Sequence, residues 1–300
     1  MSIQNVASIK ARLMNQSRER GKTMQEMLTA YGLERTIYRL SVSKYKDNFT
    51  LKGGIFLYGI FHGDFVRATT DIDLLADDIS NNIEKMRAVF TEIFSLKTDD
   101  PLQFDLDSLQ VRSITEFKEY HGVNVSIMSY LDRTRIPVSI DIGFGDIIYP
   151  DRIEMDFPVI LSDECPVVYA YSLYSCVAEK CEAIVSLGYE NSRFKDYYDL
   201  YVLARNNYFN GDDLTEAIKE TFEHRNTSFD DIVAFEEGFS DDVLRQSRWN
   251  AFVKKKKPMI KITLQDSIDM IRKFIEPIVL NLQENKKFTL QWNPRIQKWE

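Results

Sequence analysis

Near Pro166 the spacing of apolar residues changes from a mixture of strand and helix patterns to a helical pattern alone, and this change limits the folds open to the chain. Before that point, β-branched residues and period-two alternation predict strands over three segments: 103–114, 122–130 and 136–142. After it, helices are predicted over five segments: 171–187, 195–206, 212–224, 230–253 and 264–282. The sequence therefore predicts an α+β protein, in which a mixed α/β domain (1–165) precedes an all-helical domain (166–300).

The mixed domain is predicted to begin with two helices between Ser8 and Arg39, separated near Gly21. Residues 49–75 then follow the order strand, glycine turn, helix, strand, and another helix is predicted over 81–94. These short elements bring a glycine pair and two aspartates close together in the sequence.

The composition excludes several classes of protein. Apolar residues make up 44% of the chain, yet no run approaches the roughly 18 apolar residues of a membrane span, so no membrane partner is predicted. The first residues lack the apolar core of a secretory signal, which favours the cytoplasm. The three cysteines form no CxxC pair and the three histidines are scattered, so we expect core thiols and a metal held by oxygen. The net charge of -8 still permits RNA binding through a local basic patch.

Three aspartates are the candidate metal ligands. In the segment DIDL, Asp71 and Asp73 lie two residues apart, so an extended strand turns both side chains to the same face. Asp141 is a lone carboxylate in the apolar alternation of VSIDIG. If the two strands are neighbours, the carboxylates converge at one edge of the sheet and suit one or two Mg²⁺ ions. The alternative for each acid taken alone is a strand residue satisfied by backbone donors.

A glycine pair precedes these acids. Lys52, Gly53 and Gly54 stand at a predicted strand-to-helix turn, where backbone N–H groups can approach a phosphate at the positive end of the helix. A glycine pair alone indicates no more than a turn. Together with Asp-x-Asp and a later strand aspartate, it resembles the pattern of the nucleotidyltransferase superfamily. The chain departs from that pattern twice, because the superfamily often has Ser where Gly54 stands and a shorter gap before Asp71.

The longer gap contains the segment HGDFVRATT, in which Arg67, Thr69 and Thr70 approach the acids along the sequence. These side chains are candidates for contacts with a phosphate or a nucleobase. A polar loop leading into a strand explains them equally well.

The helical part contains a second group of charged residues. Lys180 lies off the apolar stripe of its predicted helix, so it is expected to be free to reach a cleft. Arg193, Lys195 and Asp196 lie at the start of the next helix, where the helix dipole favours the aspartate but not the lysine. In one interpretation, the three cations grip a triphosphate from the side opposite the acids while Asp196 orients one of them. The alternative is a set of structural ion pairs.

Taken in order, these segments resemble the AbiEii/AbiGii family of nucleotidyltransferase toxins, which occur in toxin–antitoxin and phage-resistance systems. The resemblance runs through DNFTLKGG, RATTDIDLL, SIDIGFGD and VAEKCEAIVSLGYENSRFKDYYDLYVLAR, and it covers most of the chain up to about residue 255. It implies a polymerase-beta-like sheet domain followed by a helical domain. By motif position it assigns catalytic roles to Asp71, Asp73, Lys180 and Asp196, while Asp141 matches the third acid of the superfamily.

The same resemblance implies Mg²⁺-dependent use of GTP, CTP or another nucleoside triphosphate. The expected acceptor is RNA, in particular the 3′ end of tRNA, with protein as the alternative acceptor. A cognate antitoxin is the expected protein partner. Two functions of other kinds stay open: a nucleotide-binding regulatory module without transfer, and a nucleotidyltransferase that modifies a small molecule.

Overall fold

A computed structural model describes residues 5–64, 66–115, 121–161, 164–229 and 232–300. The chain forms two compact units. The first, which we call the sheet unit, comprises residues up to Gly145 together with Ile153–Ala170, and the second, the helical unit, comprises Asp146–Arg152 together with Tyr171–Glu300. None of the described helices is long and apolar enough to cross a membrane.

The sheet unit combines helices with one mixed sheet. Its helices are α1 (Val6–Glu19), α2 (Met24–Ser41), α3 (Gly53–Ile60) and α4 (Ile83–Phe94). Its strands are β1 (Phe49–Lys52), β2 (Ile72–Ala76), β3 (Gln103–Thr115), β4 (His121–Leu131), β5 (Thr134–Phe144), β6 (Ile153–Asp156) and β7 (Val167–Ala170). The α+β class and the three long predicted strands are therefore confirmed.

Within this sheet the described strands lie in the order β3-β4-β5-β2-β1-β7-β6. The pairs β2–β5 and β1–β7 are parallel, and the remaining neighbours are antiparallel. Strand β2 thus lies at the centre, between β1 and β5. The segments that carry the glycine pair, the Asp-x-Asp motif and Asp141 are three adjacent strands and their ends.

The two N-terminal helices begin and end at clear sequence signals. The side chain of Asn5 caps α1, and Thr23 with Glu26 forms a capping box at the start of α2. Gly21 has a φ of +60° in the link between the helices, as the predicted break requires. On the buried side of α2, a Cβ at Gly32 would lie 2.7 Å from Ile136 Cγ2, so the glycine permits a close approach to β5.

A buried polar cluster attaches α2 to the loop that leads into β3. Arg35 Nε and Arg39 Nη1 donate to Asp100 Oδ2 at 3.0 and 3.1 Å. Next to them, the buried Glu34 accepts a hydrogen bond of 2.7 Å from the backbone N–H of Ile160. These contacts satisfy charges that would otherwise be costly to bury.

The helical unit is built from α5 (Leu173–Leu187), α6 (Phe194–Asn206), α7 (Gly211–His224), α8 (Val243–Lys256) and α9 (Leu264–Gln283). Helices are confirmed at 171–187, 195–206, 212–224 and 264–282, and the capping box of Thr263 and Asp266 opens α9. In the predicted segment 230–253, the α-helix begins only at Val243, and short 3-10 turns precede it. The unit also contains β8 (Phe209–Asn210), β9 (Gln291–Asn293) and β10 (Lys298–Trp299), which form a small sheet. These strands were not predicted, because two or three residues carry no periodicity.

Residues 284–300 pack into the helical unit through aromatic side chains. Trp292 is fully buried, and its Nε1–H donates to the carbonyl oxygen of Ala204 on α6 at 2.6 Å. The ring of Phe274 lies 4.9 Å from that of Trp292 and 5.1 Å from that of Phe209. The C-terminal segment is thereby part of the core that supports α6.

The segment 146–152 is attached to the helical unit by an ionic cluster. Arg225 donates to Asp146 Oδ1 and Glu179 Oε1, both at 2.8 Å, and to Glu182 Oε2 at 3.0 Å. The backbone N–H of Tyr149 donates to Ser175 Oγ at 2.7 Å. These bonds explain why the chain enters the helical unit before it returns to β6.

The cysteines are free thiols in the structure. Cys176 and Cys181 lie in the core as predicted, and burial raises the pKa of each thiol to about 12. Cys165 is exposed, so the prediction of a core thiol is wrong there. The acidic pair Asp163 and Glu164 directly before Cys165 was the sequence signal of a surface loop.

Candidate active site

Three carboxylates converge at the centre of the sheet. Asp73 on β2 and Asp141 on β5 are register partners across the parallel pair, and Asp71 immediately precedes β2. One oxygen of each of the three carboxylates lies within 4.8 Å of the others. The convergence expected from the sequence is thus present among the described residues.

The alternation of the two strands produces this arrangement. On β2, Ile72 and Leu74 are buried while Asp73 is half-buried, and on β5 the same holds for Ile140, Ile142 and the intervening Asp141. The apolar side chains fix both strands against the core. The acids are therefore held on the opposite face by elements that have little freedom to move.

This cluster has the chemistry of a site for a hard divalent cation. Carboxylate oxygens are the ligands that Mg²⁺ prefers in proteins, and partial exposure leaves room for water or substrate oxygens to complete the coordination. Without a cation, three negative charges at this separation repel one another. The residues present therefore fit a Mg²⁺ site.

The glycine pair lies directly against these acids. Gly53 has a φ of +65°, and a Cβ at this position would lie only 1.9 Å from Asp73 Oδ2. The N–H of Gly54 points to the same oxygen at 3.3 Å. Because α3 begins at Gly53, the positive end of the helix faces the carboxylate. Lys52, the last residue of β1, is the register partner of Asp73.

Arg67 and Thr69 occupy the space that a side chain at position 54 would need. A Cβ at Gly54 would lie 2.8 Å from Thr69 Oγ1 and 3.2 Å from both terminal nitrogens of Arg67. Arg67 and Thr69 are buried, whereas Thr70 is exposed and directs its backbone N–H towards Asp71 Oδ1 at 3.3 Å. The long loop before Asp71 therefore places a guanidinium beside the helix start where the superfamily often has a serine hydroxyl.

Asn124 is a site residue that the sequence did not reveal. It lies on β4 as the register partner of Asp141, and its Nδ2 donates to Asp141 Oδ1 at 2.6 Å and to Ser139 Oγ at 3.0 Å. An amide donor in this position orients the carboxylate. The signal was a polar residue within the apolar alternation of VNVSI, but its partner depends on the register of β4 and β5.

The second group of predicted residues forms a buried ionic network in the helical unit. Lys180 on α5 donates to Asp196 Oδ1 at 3.2 Å and to Asp199 Oδ2 at 2.7 Å. Arg193 Nε donates to the other oxygen of Asp196 at 2.7 Å. The expectation of a lysine free to reach a cleft is therefore wrong, because two aspartates one turn apart on α6 hold its ammonium group.

The cations of this network favour the ionised form of Asp196. Burial opposes ionisation of Asp196, but the neighbouring cations Lys180, Arg193 and Lys195 outweigh burial and lower the pKa of Asp196 below its usual value. Lys195 is half-buried in the first turn of α6, and Arg193 is the N-cap residue with 46% of its side chain exposed. Asp199, for which no role was predicted, is the second acid that holds Lys180.

Comparisons with known proteins complete this description. The profile of a family described as nucleotidyl transferase AbiEii toxin, type IV TA system, matches residues 35–268, more than half of the chain. No curated protein matches the chain.

Two solved structures from Helicobacter pylori are similar in fold. JHP933 is 13% identical, with a TM-score of 0.49 and coverage of 85% of this chain and 92% of that chain. A candidate nucleotidyltransferase is 14% identical, with a TM-score of 0.48 and coverage of 86% of this chain and 96% of that chain. Likeness at this level is too distant to support a conclusion about substrates.

Proposed function

Because the chain belongs to the family of AbiEii nucleotidyl transferase toxins of type IV toxin–antitoxin systems, we propose that it transfers a nucleotide from a nucleoside triphosphate to an RNA acceptor. The reaction depends on Mg²⁺, releases pyrophosphate and modifies the 3′ end of tRNA, with GTP or CTP as the donor. The observation that carries this proposal is the convergence of Asp71, Asp73 and Asp141 within 4.8 Å, beside a glycine turn at a helix start. Such a site suits a triphosphate and its cation.

In the proposed reaction, the 3′-hydroxyl oxygen of the RNA attacks the α-phosphorus of the triphosphate. The bond from that phosphorus to the bridging oxygen breaks, pyrophosphate leaves with the electron pair of that bond, and the proton of the hydroxyl passes to solvent water. Asp71, Asp73 and Asp141 would hold a Mg²⁺ ion, which would neutralise phosphate charge and lower the pKa of the attacking hydroxyl. The backbone N–H groups at Gly53 and Gly54, with Lys52, Arg67 and Thr70, bind and orient the triphosphate.

We assign the network of the helical unit to the same reaction, on the strength of its motif positions in the family. Lys180 and Asp196 form its catalytic pair, in which Asp196 fixes the position of the lysine through the 3.2 Å contact. Arg193 and Lys195 bind substrate phosphate. The support for this assignment is that Asp196 holds two cations, while Arg193 remains partly exposed at the start of α6.

Family membership implies a nucleoside triphosphate substrate and an antitoxin partner. We propose that the toxin acts in the cytoplasm, where both triphosphates and tRNA are present. We further propose that depletion of functional tRNA arrests growth and limits phage propagation until the cognate antitoxin counters it.

The proposal is tested by incubating the protein with each α-³²P-labelled triphosphate, Mg²⁺ and total tRNA. The wild type is expected to label tRNA at its 3′ end and to release pyrophosphate, and Asp73→Ala is expected to abolish labelling. Asp107→Ala, which removes an exposed carboxylate on β3 of the same sheet, is the matched control and should label normally.

Other outcomes identify the alternatives. Labelling that survives in Asp73→Ala contradicts the site. Stabilisation by a triphosphate without pyrophosphate release favours a regulatory module, and labelling of a small molecule but not of tRNA favours a small-molecule transferase.

A further inference from the structure

One segment of the helical unit has a charge opposite to that of the chain as a whole. Residues 243–265 contain seven basic residues and no Asp or Glu, although the chain contains 46 acidic residues and has a net charge of -8. This segment comprises α8, the loop after it and the first two residues of α9. The basic residues of this segment are thus separated from acidic residues in the sequence, whereas an ordinary solvated surface mixes the two kinds of charge.

The structure holds these basic residues on a fixed scaffold. Trp249 is the buried residue of α8, and its Nε1–H donates to the carbonyl oxygen of Ile262 at 3.2 Å. The backbone N–H of Ile260 donates to the hydroxyl of Tyr198 at 3.1 Å. Both the helix and the loop after it are therefore anchored to the core.

The outward side of this scaffold presents a cluster of cations. We call it the α8 basic surface, and it consists of five exposed residues: Arg248, Lys254, Lys255, Lys257 and Lys261. In the part of the chain that the structure describes, Arg248, Lys254, Lys255 and Lys261 form no ion pair. The helix dipole favours lysines in the last turn of α8, but it accounts neither for Arg248 in mid-helix nor for Lys261 beyond the end.

We infer that the α8 basic surface binds the sugar–phosphate backbone of the RNA acceptor. This inference rests on the proposed function, in which an RNA must be held while its 3′ end reacts. Charge complementarity carries it, because Lys and Arg side chains clustered in a segment that contains no Asp or Glu are the electrostatic footprint of a nucleic-acid site.

A protein partner and a membrane fit the α8 basic surface less well than RNA does. Protein interfaces are depleted in lysine and enriched in aromatic residues, whereas the basic surface is mostly lysine. A membrane-binding helix interleaves several apolar residues with basic ones. Between Lys254 and Lys261 the one exposed large apolar side chain is Met259, and the exposed Val243 and Leu244 lie at the opposite end of α8, about 15 Å from Lys254.

The test measures binding of 5′-fluorescein-labelled total tRNA by anisotropy at several KCl concentrations, without any triphosphate. The double variant Lys254→Ala/Lys255→Ala is expected to bind tRNA about tenfold more weakly, and its plot of log affinity against log salt should be shallower by about two. The matched control is Lys286→Ala/Lys287→Ala, which removes the same charge from an exposed lysine pair of the same unit and should behave as the wild type.

Assays of nucleotide transfer distinguish failure of this inference from failure of the proposed function. If the wild type labels tRNA, the α8 double variant should raise KM for tRNA and leave KM for the triphosphate unchanged. If both double variants bind tRNA equally well, the inference is wrong even though transfer to tRNA stands. If the α8 variant instead loses binding to phosphatidylserine vesicles and keeps binding to tRNA, a membrane role replaces the inference. Failure of the wild type to label any RNA contradicts the proposed function alone.

Discussion

Gly53 leaves no space between the backbone and a carboxylate of the candidate active site. Its positive φ would disfavour most other residues, and the 1.9 Å between a Cβ at this position and Asp73 Oδ2 would disfavour alanine even with an ideal backbone. The glycine thus serves two purposes, a turn and a close approach. The close approach places the start of α3 against the candidate metal site.

We predict that Gly53→Ala displaces the Asp73 side chain and lowers nucleotide transfer by about a hundredfold, since small misplacements of reacting groups have effects of this size. The control is Gly21→Ala. Gly21 has a similar φ of +60°, but no atom lies within 4 Å of the position that a Cβ would take there. The backbone strain is therefore matched, and only Gly53→Ala should reduce kcat. Equal activity of both variants in the tRNA-labelling assay would contradict the close approach.

Asn124 is predicted to position Asp141 for the cation. Asn124→Ala removes the 2.6 Å hydrogen bond and should weaken Mn²⁺ or Mg²⁺ binding by about tenfold in calorimetric titrations. Ser126→Ala, two residues along the same strand, is the control. If Asn124 had a purely structural role, Asn124→Ala would instead lower the melting temperature of the metal-free protein and leave its affinity for the cation unchanged.

At the scale of elements, α2 carries an unusual carboxyl group. Burial of Glu34 raises its pKa from 4.5 to about 7, although the N–H of Ile160 and the Arg35 guanidinium favour the ionised form. The folded chain therefore holds the proton more tightly than the unfolded chain. The resulting stabilisation is full below about pH 4.5 and is lost as the pH rises through about 7.

Glu34→Gln is predicted to remove this pH dependence. The amide keeps an oxygen that can accept from Ile160 and cannot ionise, so the variant should match the wild type near pH 4.5 and exceed it at pH 8 by about 2 to 3 kcal/mol in free energy of unfolding. Urea titrations at both pH values measure this difference. Glu84→Gln, at an exposed position of α4, should show no such gain. An unchanged pH profile in Glu34→Gln would show that Glu34 is ionised throughout.

The sequence predicts the helices and long strands of this fold better than it predicts the side-chain contacts between them. Long strands and helices were predictable because their apolar side chains repeat over several periods. For the same reason Asp71 and Asp73 were predicted on one face of a strand and Asp141 on a second strand, whereas the pairing of these two strands was only a condition of the predicted metal site. The hydrogen-bond partner of Asp141 could not be predicted. The pairing of Asn124 with Asp141 depends on the register between β4 and β5, which the alternation of apolar residues leaves open. Lys180 was misjudged for a related reason: its position off the apolar stripe does not show that α6 presents two aspartates to it.

At the scale of the whole molecule, the chain passes between its two compact units more than once. Asp146–Arg152 belongs to the helical unit, while Ile153–Ala170 returns to the sheet unit. The division into domains predicted after residue 165 stays a prediction. The family match ends at residue 268, yet the helical unit continues to residue 300.

Trp292 is predicted to be essential for the stability of the helical unit. Trp292→Ala should lower the free energy of unfolding by about 3 to 5 kcal/mol, since it removes a fully buried ring. Trp292→Phe keeps an aromatic ring but loses the hydrogen bond to Ala204, so its loss should be smaller. Urea unfolding followed by circular dichroism distinguishes the two. Wild-type stability in Trp292→Ala would show that the C-terminal segment is dispensable for folding.

The packing of this segment on α6 also has an evolutionary consequence. Trp292 shares one pocket with Phe209 and Phe274, so the volume of that pocket can be maintained only if the three side chains change together. In relatives that possess this C-terminal segment, substitutions at 209, 274 and 292 should therefore be correlated. Relatives that lack the segment should carry smaller or more polar residues at 209 and 274, because those rings would otherwise face water.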